Sequence, residues 1–178
     1  ATQPDAPALT DPAGTLTWAE LAERSHRLAH AMAARGVGHG DYVTIGLPNS
    51  AGFMEAALAA WKLGAVPQPI SWRLPKGELE AVLDLVNPKL VVARPELGAS
   101  RPSATIEQLL AEAPEGVRVE SRVAPAWKAP TSGGSTGRPK LIVAGQPGVM
   151  AAAPAGVWRN APDDVALMPG PLYHNGPF

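Results

Sequence analysis

The sequence predicts an α/β fold with a mostly parallel sheet flanked by helices. Short apolar runs typical of buried strands alternate along the chain with segments whose apolar residues recur at helical spacing. Glycine or proline separates these segments, and strands that alternate with helices are typical of a parallel sheet. We expect one domain, because a chain of 178 residues can remove roughly 70% of its unfolded surface from water.

The first predicted helix covers residues 17–35. Thr17 and Glu20 have the spacing of a capping box, and Gly36 is a typical helix terminator. The run YVTIGL at 42–47 then predicts a short buried strand. The residues expected on the inner face of the helix recur at helical spacing: Trp18, Leu21, Ala22, Leu28, Ala29 and Met32.

The same alternation continues through the next fifty residues or so. A helix is predicted at 51–63 and a strand at 65–70, with glycine between them. Pro75 suits the first turn of a helix that we expect to end near residue 86, and LVVA at 90–93 predicts a third strand. These three strands are the basis for predicting a parallel sheet.

Prolines interrupt most of residues 94–130. There the pattern predicts only a short helix at 106–112 and a strand at 117–123. Beyond the glycine-rich stretch at 131–140 we predict three further elements: a strand at 141–144, a helix at 148–156 and a short strand after Val165.

Composition narrows the classes of partner. Fifteen basic and sixteen acidic residues give a net charge of −1, which offers no electrostatic footprint for nucleic acid or anionic lipid. The absence of cysteine excludes disulfides and thiolate metal sites. The longest apolar run, 56–70, is broken by lysine, glycine and proline, so we expect no membrane span. A small-molecule partner and a cytoplasmic protein are expected, and the oligomeric state is left open.

The stretch TSGGSTGRPK at 131–140 must form a loop, and three functions suit such a loop. Glycine, serine and threonine allow successive backbone N–H groups to converge on a phosphate, and Lys140 adds a positive charge. It is not a Walker loop, because Arg138 and Pro139 separate Gly137 from Lys140. A flexible linker has a similar composition. Composition alone leaves the phosphate loop and the linker open.

The third function is that of a serine hydrolase, since residues 133–137 also satisfy GxSxG. The nucleophile of that motif sits between a hydrophobic strand and a helix, whereas this one is followed by Pro139 and a strand-like LIVA. The acids and the histidine that follow it, Asp163, Asp164 and His174, lie in one short segment that cannot easily complete a triad. The context therefore disfavours a hydrolase.

The flanking sequence resolves the choice by resemblance. TSGGSTGRPK resembles the ATP-phosphate loop of the adenylate-forming superfamily, which includes acyl-CoA synthetases, luciferases and peptide-synthetase adenylation domains. LTWAELAERSHRLAHAMAARGVGHGDYVTIGLPNS upstream resembles the family's opening helix and strand, and AALAAWKLGAVPQPISWRLPKGELEAVLDLVNPKLVV resembles the elements that follow. MPGPLYHNG downstream resembles the block whose aromatic or histidine residue lines the carboxylate pocket, in the form found in coenzyme A ligases.

The resemblance implies ATP-dependent activation of a carboxylic acid (fatty, aryl or steroidal) to an acyl-adenylate, followed by transfer to coenzyme A. It implies two catalytic residues, Lys140 and His174, and places Tyr173, His174 and Asn175 near the acid, with Thr136 contacting Mg²⁺. The residues implied to bind the phosphates of ATP are Thr131, Ser132, Gly133, Gly134, Ser135, Thr136, Gly137 and Lys140. Ala129 and Gly133 depart from the family pattern, which has a large apolar residue and a hydroxyl at these positions.

The resemblance also implies that residues 1–178 correspond to the N-terminal subdomain of a longer synthetase. The family's metal-binding glutamate, ribose-binding aspartate and late catalytic lysine would then follow residue 178, and we expect this portion alone to be inactive. A catalytically silent nucleotide-binding or scaffold domain of the same family is the alternative.

Overall fold

A computed structural model describes residues 3–132, 138–149 and 164–178. The strands are β1 (Pro7–Asp11), β2 (Gly14–Thr17), β3 (Tyr42–Gly46), β4 (Val66–Pro69), β5 (Leu90–Ala93) and β6 (Ser103–Ala104). The α-helices are α1 (Trp18–Ala34), α2 (Ala51–Lys62), α3 (Lys76–Val86) and α4 (Ile106–Glu112).

The central sheet confirms the predicted fold class. Its strands are all parallel and lie in the order β4-β3-β5-β6, with β3 hydrogen-bonded to β4 on one side and to β5 on the other. Because successive strand residues point to opposite faces, a sheet covered on both sides needs continuous apolar runs. YVTIG and LVVA are such runs, and nearly all of their residues are buried.

Helices cover both faces of this sheet. Helices α1, α2 and α4 pack on one face, where Leu28, Phe53 and Leu109 are completely buried beside Ile45. Helix α3 covers the other face, with Leu83 as one of its fully buried residues. The chain therefore turns from one side of the sheet to the other between β4 and β5, and the loops at the sheet's ends are left to form sites.

Short polar signals fix the helix starts as the sequence predicts. The Glu20 N–H donates to Thr17 Oγ1 at 3.2 Å and the Thr17 N–H donates to Glu20 Oε2 at 2.8 Å, which completes the predicted capping box. Thr105 and Gln108 form the same capping box at α4, and Ser50 caps α2 by accepting the Phe53 N–H alone. Among the described helices, none combines the length and the apolar character that crossing a lipid bilayer requires.

Several predicted elements are wrong. Residues 117–123 form no strand, and the bridge of Arg122 to Leu63 is isolated. Neither 141–144 nor the residues after Val165 form a named strand. Gly148 and Val149 are not helical, and 150–156 lie outside the described residues. Trp18, expected on the inner face of α1, is 47% exposed; it is the first residue of the helix, and its N–H donates to the Ala6 carbonyl at 3.1 Å.

The β1–β2 hairpin was not predicted. It forms a separate antiparallel pair whose turn is closed by Asp11, since Asp11 Oδ1 accepts the Ala13 N–H at 2.8 Å. Asp11 Oδ2 also accepts the Ala51 N–H at 2.8 Å, which ties the hairpin to the start of α2. The sequence signal was the turn DPAG between two short stretches that contain threonine and leucine.

Candidate functional site

The described ends of the glycine-rich stretch, 131–132 and 138–140, continue two antiparallel arms of the chain. Backbone hydrogen bonds join residues 124–132 to residues 140–148, together called the hairpin, and the last of these bonds runs from the Ser132 N–H to the Lys140 carbonyl at 2.8 Å. The Lys140 N–H returns to Ser132 Oγ at 3.2 Å. The hairpin also joins the central sheet, because the Ala129 N–H donates to the Pro67 carbonyl of β4 at 3.0 Å. The ends of the loop are therefore fixed relative to the core.

The segment 168–178 lies beside this hairpin and carries the predicted histidine. The His174 N–H donates to the Pro171 carbonyl at 3.0 Å, which makes a turn, and the rings of Tyr173 and His174 are 4.7 Å apart between centroids. Phe178 closes the segment by stacking on Trp61 at 5.7 Å and 9°. Aromatic packing of this kind anchors the end of the segment in the core.

A cleft of about 430 Å³ is lined both by residues predicted to bind the phosphates and by residues predicted to bind the acid. One wall contains Ser132 from the base of the loop, and another contains Tyr173 and His174. The remaining wall comes from the end of β4, the turn that follows it and α3, and it mixes apolar residues with Ser71 and Glu78: Pro69, Ile70, Ser71, Leu74, Gly77, Glu78, Ala81 and Val82. The cleft therefore brings polar side chains from three parts of the chain together with apolar ones, as small-molecule sites commonly do.

Of the other predicted site residues that the structure describes, one lines the cleft and two lie outside it. Thr131 lines the cleft, whereas Lys140 and Asn175 are exposed and do not line it. Asn175 contributes its carbonyl to a contact with Lys128. The remaining predicted phosphate-binding residues, 133–137, lie outside the described residues, and so does the predicted metal contact Thr136. Within the described ranges, no group of three or more histidine or acidic residues is arranged to hold a metal ion.

Two residues near the site were missed by sequence reasoning. Asn49 bonds to the segment 168–178 through its side-chain amide. Lys128 is only 4% exposed, and its ammonium lies 4.0 Å from the centre of the Trp127 ring. Burial lowers the pKa of Lys128, since removal from water disfavours the charged form. The asparagine after Pro48 reads as a turn residue and the lysine as a surface charge, so neither gave a signal.

A larger cavity of about 650 Å³ lies elsewhere, at the carboxyl ends of β3 and β5. None of the predicted site residues that the structure describes lines it. The first amide of α2 in this cavity is already bonded to Asp11, and that hydrogen bond from Ala51 lowers the pKa of the Asp11 carboxyl. This amide is therefore not free for a phosphate, and the smaller cleft, which Thr131, Ser132, Tyr173 and His174 line, is the better candidate site.

Known proteins resemble this chain along most of its described length. The family model for AMP-binding enzymes matches residues 1–178. The 4-chlorobenzoate–CoA ligase of an Arthrobacter species is 32% identical over 158 residues, covering 79% of this chain and 30% of that protein. CymA of Salinispora arenicola, described as a nonribosomal peptide synthetase, is 35% identical over 175 residues, covering 89% of this chain and 2% of that protein.

A solved structure shows the same arrangement. O-succinylbenzoate coenzyme A synthetase from Bacillus subtilis, in complex with AMP, is 26% identical with a TM-score of 0.69. The match covers 79% of this chain and 39% of that chain, so this sequence spans well under half of the solved relative. With the family model over its whole length and this agreement in fold, the chain belongs to the AMP-binding family of adenylate-forming acid ligases.

Proposed function

We propose that the complete protein carrying this sequence activates a carboxylic acid with ATP and transfers the acyl group to coenzyme A. A carboxylate oxygen of the acid attacks the α-phosphorus, the bond from that phosphorus to the bridging oxygen of pyrophosphate breaks, and an acyl-adenylate forms. The thiol sulfur of coenzyme A then attacks the acyl carbon, and AMP leaves. The observation that carries this proposal is the cleft in which Ser132 and His174 meet.

The hairpin suits the first half of this reaction. Charge accumulates on the departing pyrophosphate, and a loop rich in backbone donors stabilises that charge best when its ends are already fixed. The bond from Ser132 to Lys140 fixes them here. We assign the outer phosphates to residues 131–137 and Lys140, and the acid carboxylate to the side of the cleft with Tyr173 and His174. Asn175 stays a proposed neighbour of the acid through its exposed side chain.

Mg²⁺ would arrive with the phosphates of ATP. Such ions usually keep several waters and take only one or two protein ligands. Of the residues that the structure describes, none forms an acidic cluster that would hold the ion by itself. We therefore retain Thr136 as a proposed contact and derive no step through the metal.

Coenzyme A is favoured as the acceptor by two relatives whose names specify it, the 4-chlorobenzoate ligase and the O-succinylbenzoate synthetase. Other relatives name a different acceptor or product, such as the fatty acid–[acyl-carrier-protein] ligase of Streptomyces coeruleorubidus. The alternative is thus adenylation coupled to a carrier protein. A silent nucleotide-binding domain is the second alternative.

Exchange of labelled pyrophosphate into ATP tests the proposal. The complete protein should show exchange that depends on a fatty, aryl or steroidal acid, and coenzyme A should then convert that acid to a thioester. Amino-acid-dependent exchange would favour peptide-synthetase chemistry, and no exchange with any acid would favour the silent domain. Residues 1–178 alone should bind nucleotide without turnover, because they match only 39% of the solved synthetase.

Lys140→Ala tests the placement of the phosphates. The substitution removes an exposed charge aimed at the outer phosphates, so binding of ATP should weaken several-fold more than binding of AMP. Lys89→Ala is a matched control, since Lys89 is also exposed but does not line the cleft. Equal losses for ATP and AMP would contradict the placement.

A further inference from the structure

The segment 168–178 is held at its start by one side chain. Asn49, in the turn between β3 and α2, donates from Nδ2 to the Gly170 carbonyl at 2.9 Å. Its Oδ1 accepts the Leu172 N–H at 2.8 Å. A single amide thus satisfies a donor and an acceptor of the segment's backbone, as a neighbouring strand would. Leu172 is 7% exposed, so this part of the segment is packed against the core.

The segment is held further along by a second side chain. Lys128 Nζ donates to the Asn175 carbonyl at 2.5 Å. The ammonium also lies over the ring of Trp127 at 4.0 Å and 5.7 Å from the centre of the Phe178 ring. Among the described residues, no carboxylate lies within ion-pair distance of Lys128. A buried ammonium is costly to keep unless polar or aromatic groups compensate for the lost water, and here the Asn175 carbonyl and the Trp127 ring are such groups.

The two contacts lie on either side of His174. Leu172 and Asn175 are the anchored residues, and only Tyr173 and His174 stand between them. Lys128 is also part of the phosphate-loop hairpin, since its carbonyl accepts the Ala144 N–H at 3.0 Å. The same side chain therefore connects the hairpin that carries the loop to the turn that carries the histidine.

We propose that Asn49 and Lys128 are positioning residues that set His174, and with it the bound acid, relative to the phosphate loop. The inference rests on the proposed function. Neither side chain lines the cleft, so both act through the backbone of the segment 168–178. A displacement of about 1 Å between reacting groups can cost about 100-fold in rate, which makes such anchoring consequential.

Substitutions that separate charge from bulk test the role of Lys128. Lys128→Met keeps the length of the apolar stem and removes the donor, while Lys128→Arg keeps a charged donor. Asn49→Ala removes both amide contacts. Lys89→Met is the matched control, because Lys89 is an exposed lysine outside the cleft. All variants are made in the complete protein and assayed by acid-dependent exchange of pyrophosphate.

We expect Lys128→Met and Asn49→Ala each to raise the KM for the acid about tenfold. The first loses a charge-assisted hydrogen bond and the second loses two amide hydrogen bonds. The KM for ATP should change less than about twofold by the same reasoning, since the hydrogen bonds of the hairpin remain. Lys128→Arg should recover most of the loss, and Lys89→Met should match the parent protein. Equal rises in the KM values for the acid and for ATP, or no change in KM or kcat, would indicate a merely structural role and overturn the proposal.

Amide hydrogen exchange gives a readout that does not depend on activity. In Asn49→Ala the Leu172 amide should exchange at least about tenfold faster, because its acceptor is gone, whereas the Ala144 amide of the hairpin should be unchanged. Unchanged protection of Leu172 would overturn the anchoring itself. A parent protein without acid-dependent exchange would refute the proposed function together with this role, while an active parent with unaffected variants would refute this role alone.

Discussion

The ion pair between Arg24 of α1 and Glu55 of α2 should respond unequally to the loss of either partner. The Arg24 guanidinium contacts Glu55 twice, through Nε to Oε1 and through Nη2 to Oε2, the second at 3.2 Å. The Glu55 side chain is 1% exposed, whereas the Arg24 side chain is 34% exposed. Removal of the arginine therefore leaves a buried carboxylate, but removal of the carboxylate leaves an arginine that already reaches water.

The expected magnitudes follow from this difference. Arg24→Met should lower the free energy of unfolding by about 3–5 kcal/mol, the usual cost of leaving one buried charge unpaired. Glu55→Gln keeps an acceptor for the guanidinium and should cost only about 1–2 kcal/mol, because Arg24 stays partly solvated. The double variant removes both charges and should be more stable than Arg24→Met alone.

Urea unfolding followed by circular dichroism measures these changes. With a dependence of about 2 kcal/mol per molar urea, the midpoint should fall by about 1.5–2.5 M for Arg24→Met and by about 0.5–1 M for Glu55→Gln. Lys89→Met serves as the exposed control. Equal losses for the two single variants, or additive losses in the double variant, would refute the argument from burial.

Three further changes have defined outcomes. Thr44→Val should lower the free energy of unfolding in urea by about 1–3 kcal/mol, because the buried Gln68 Oε1 loses the hydroxyl that donates to it at 2.7 Å. Thr44→Ser keeps a hydroxyl and should lose less stability; equal losses for the two variants would contradict this hydrogen bond. Phe178 packs on Phe53 and Trp61 but is only partly buried, so Phe178→Ala should cost about 1–3 kcal/mol and Phe178→Leu less. A loss below about 0.5 kcal/mol would show that the ring is not anchored. Burial, followed by the charges of Lys62 and Arg118, lowers the pKa of His26, so the unfolded chain binds this proton more readily. The free energy of unfolding should therefore fall as the pH drops below the unfolded value of 6.5, and His26→Gln should flatten that dependence.

The parts of the fold that the sequence predicted are those in which local chemistry and burial agree. The capping pair Thr17 and Glu20 marked the start of α1, and the apolar runs at 42–46 and 90–93 marked strands buried on both faces. In such segments the local preference for helix or strand agrees with the burial that the fold imposes, so the prediction from sequence holds. The parallel orientation of the strands followed from the alternation of strands and helices along the chain.

The contacts that build the candidate site could not be predicted because they join distant parts of the chain. Asn49 and Leu172 meet across most of the sequence, and nothing near an asparagine after a proline indicates such a partner. Lys128 appears in the sequence as one charge among aromatic and small residues, but the structure places it beneath the turn of Asn175. The role predicted for the glycine-rich stretch came from resemblance, whereas the side chains that anchor the segment 168–178 became visible only in the fold.

Prolines explain the wrong strand prediction at 141–144. The two arms of the hairpin contain Pro125, Pro130 and Pro147, which have no N–H to donate. The ladder of hydrogen bonds between the arms is therefore incomplete, and it forms one isolated bridge, between Thr131 and Leu141, instead of a pair of strands. The arms are nevertheless joined as far as the base of the loop. Chain ordering that precedes binding does not have to be repeated when a ligand arrives. Because Ser132 and Lys140 are already bonded to each other, less ordering is left for the phosphate binding that we propose for this stretch.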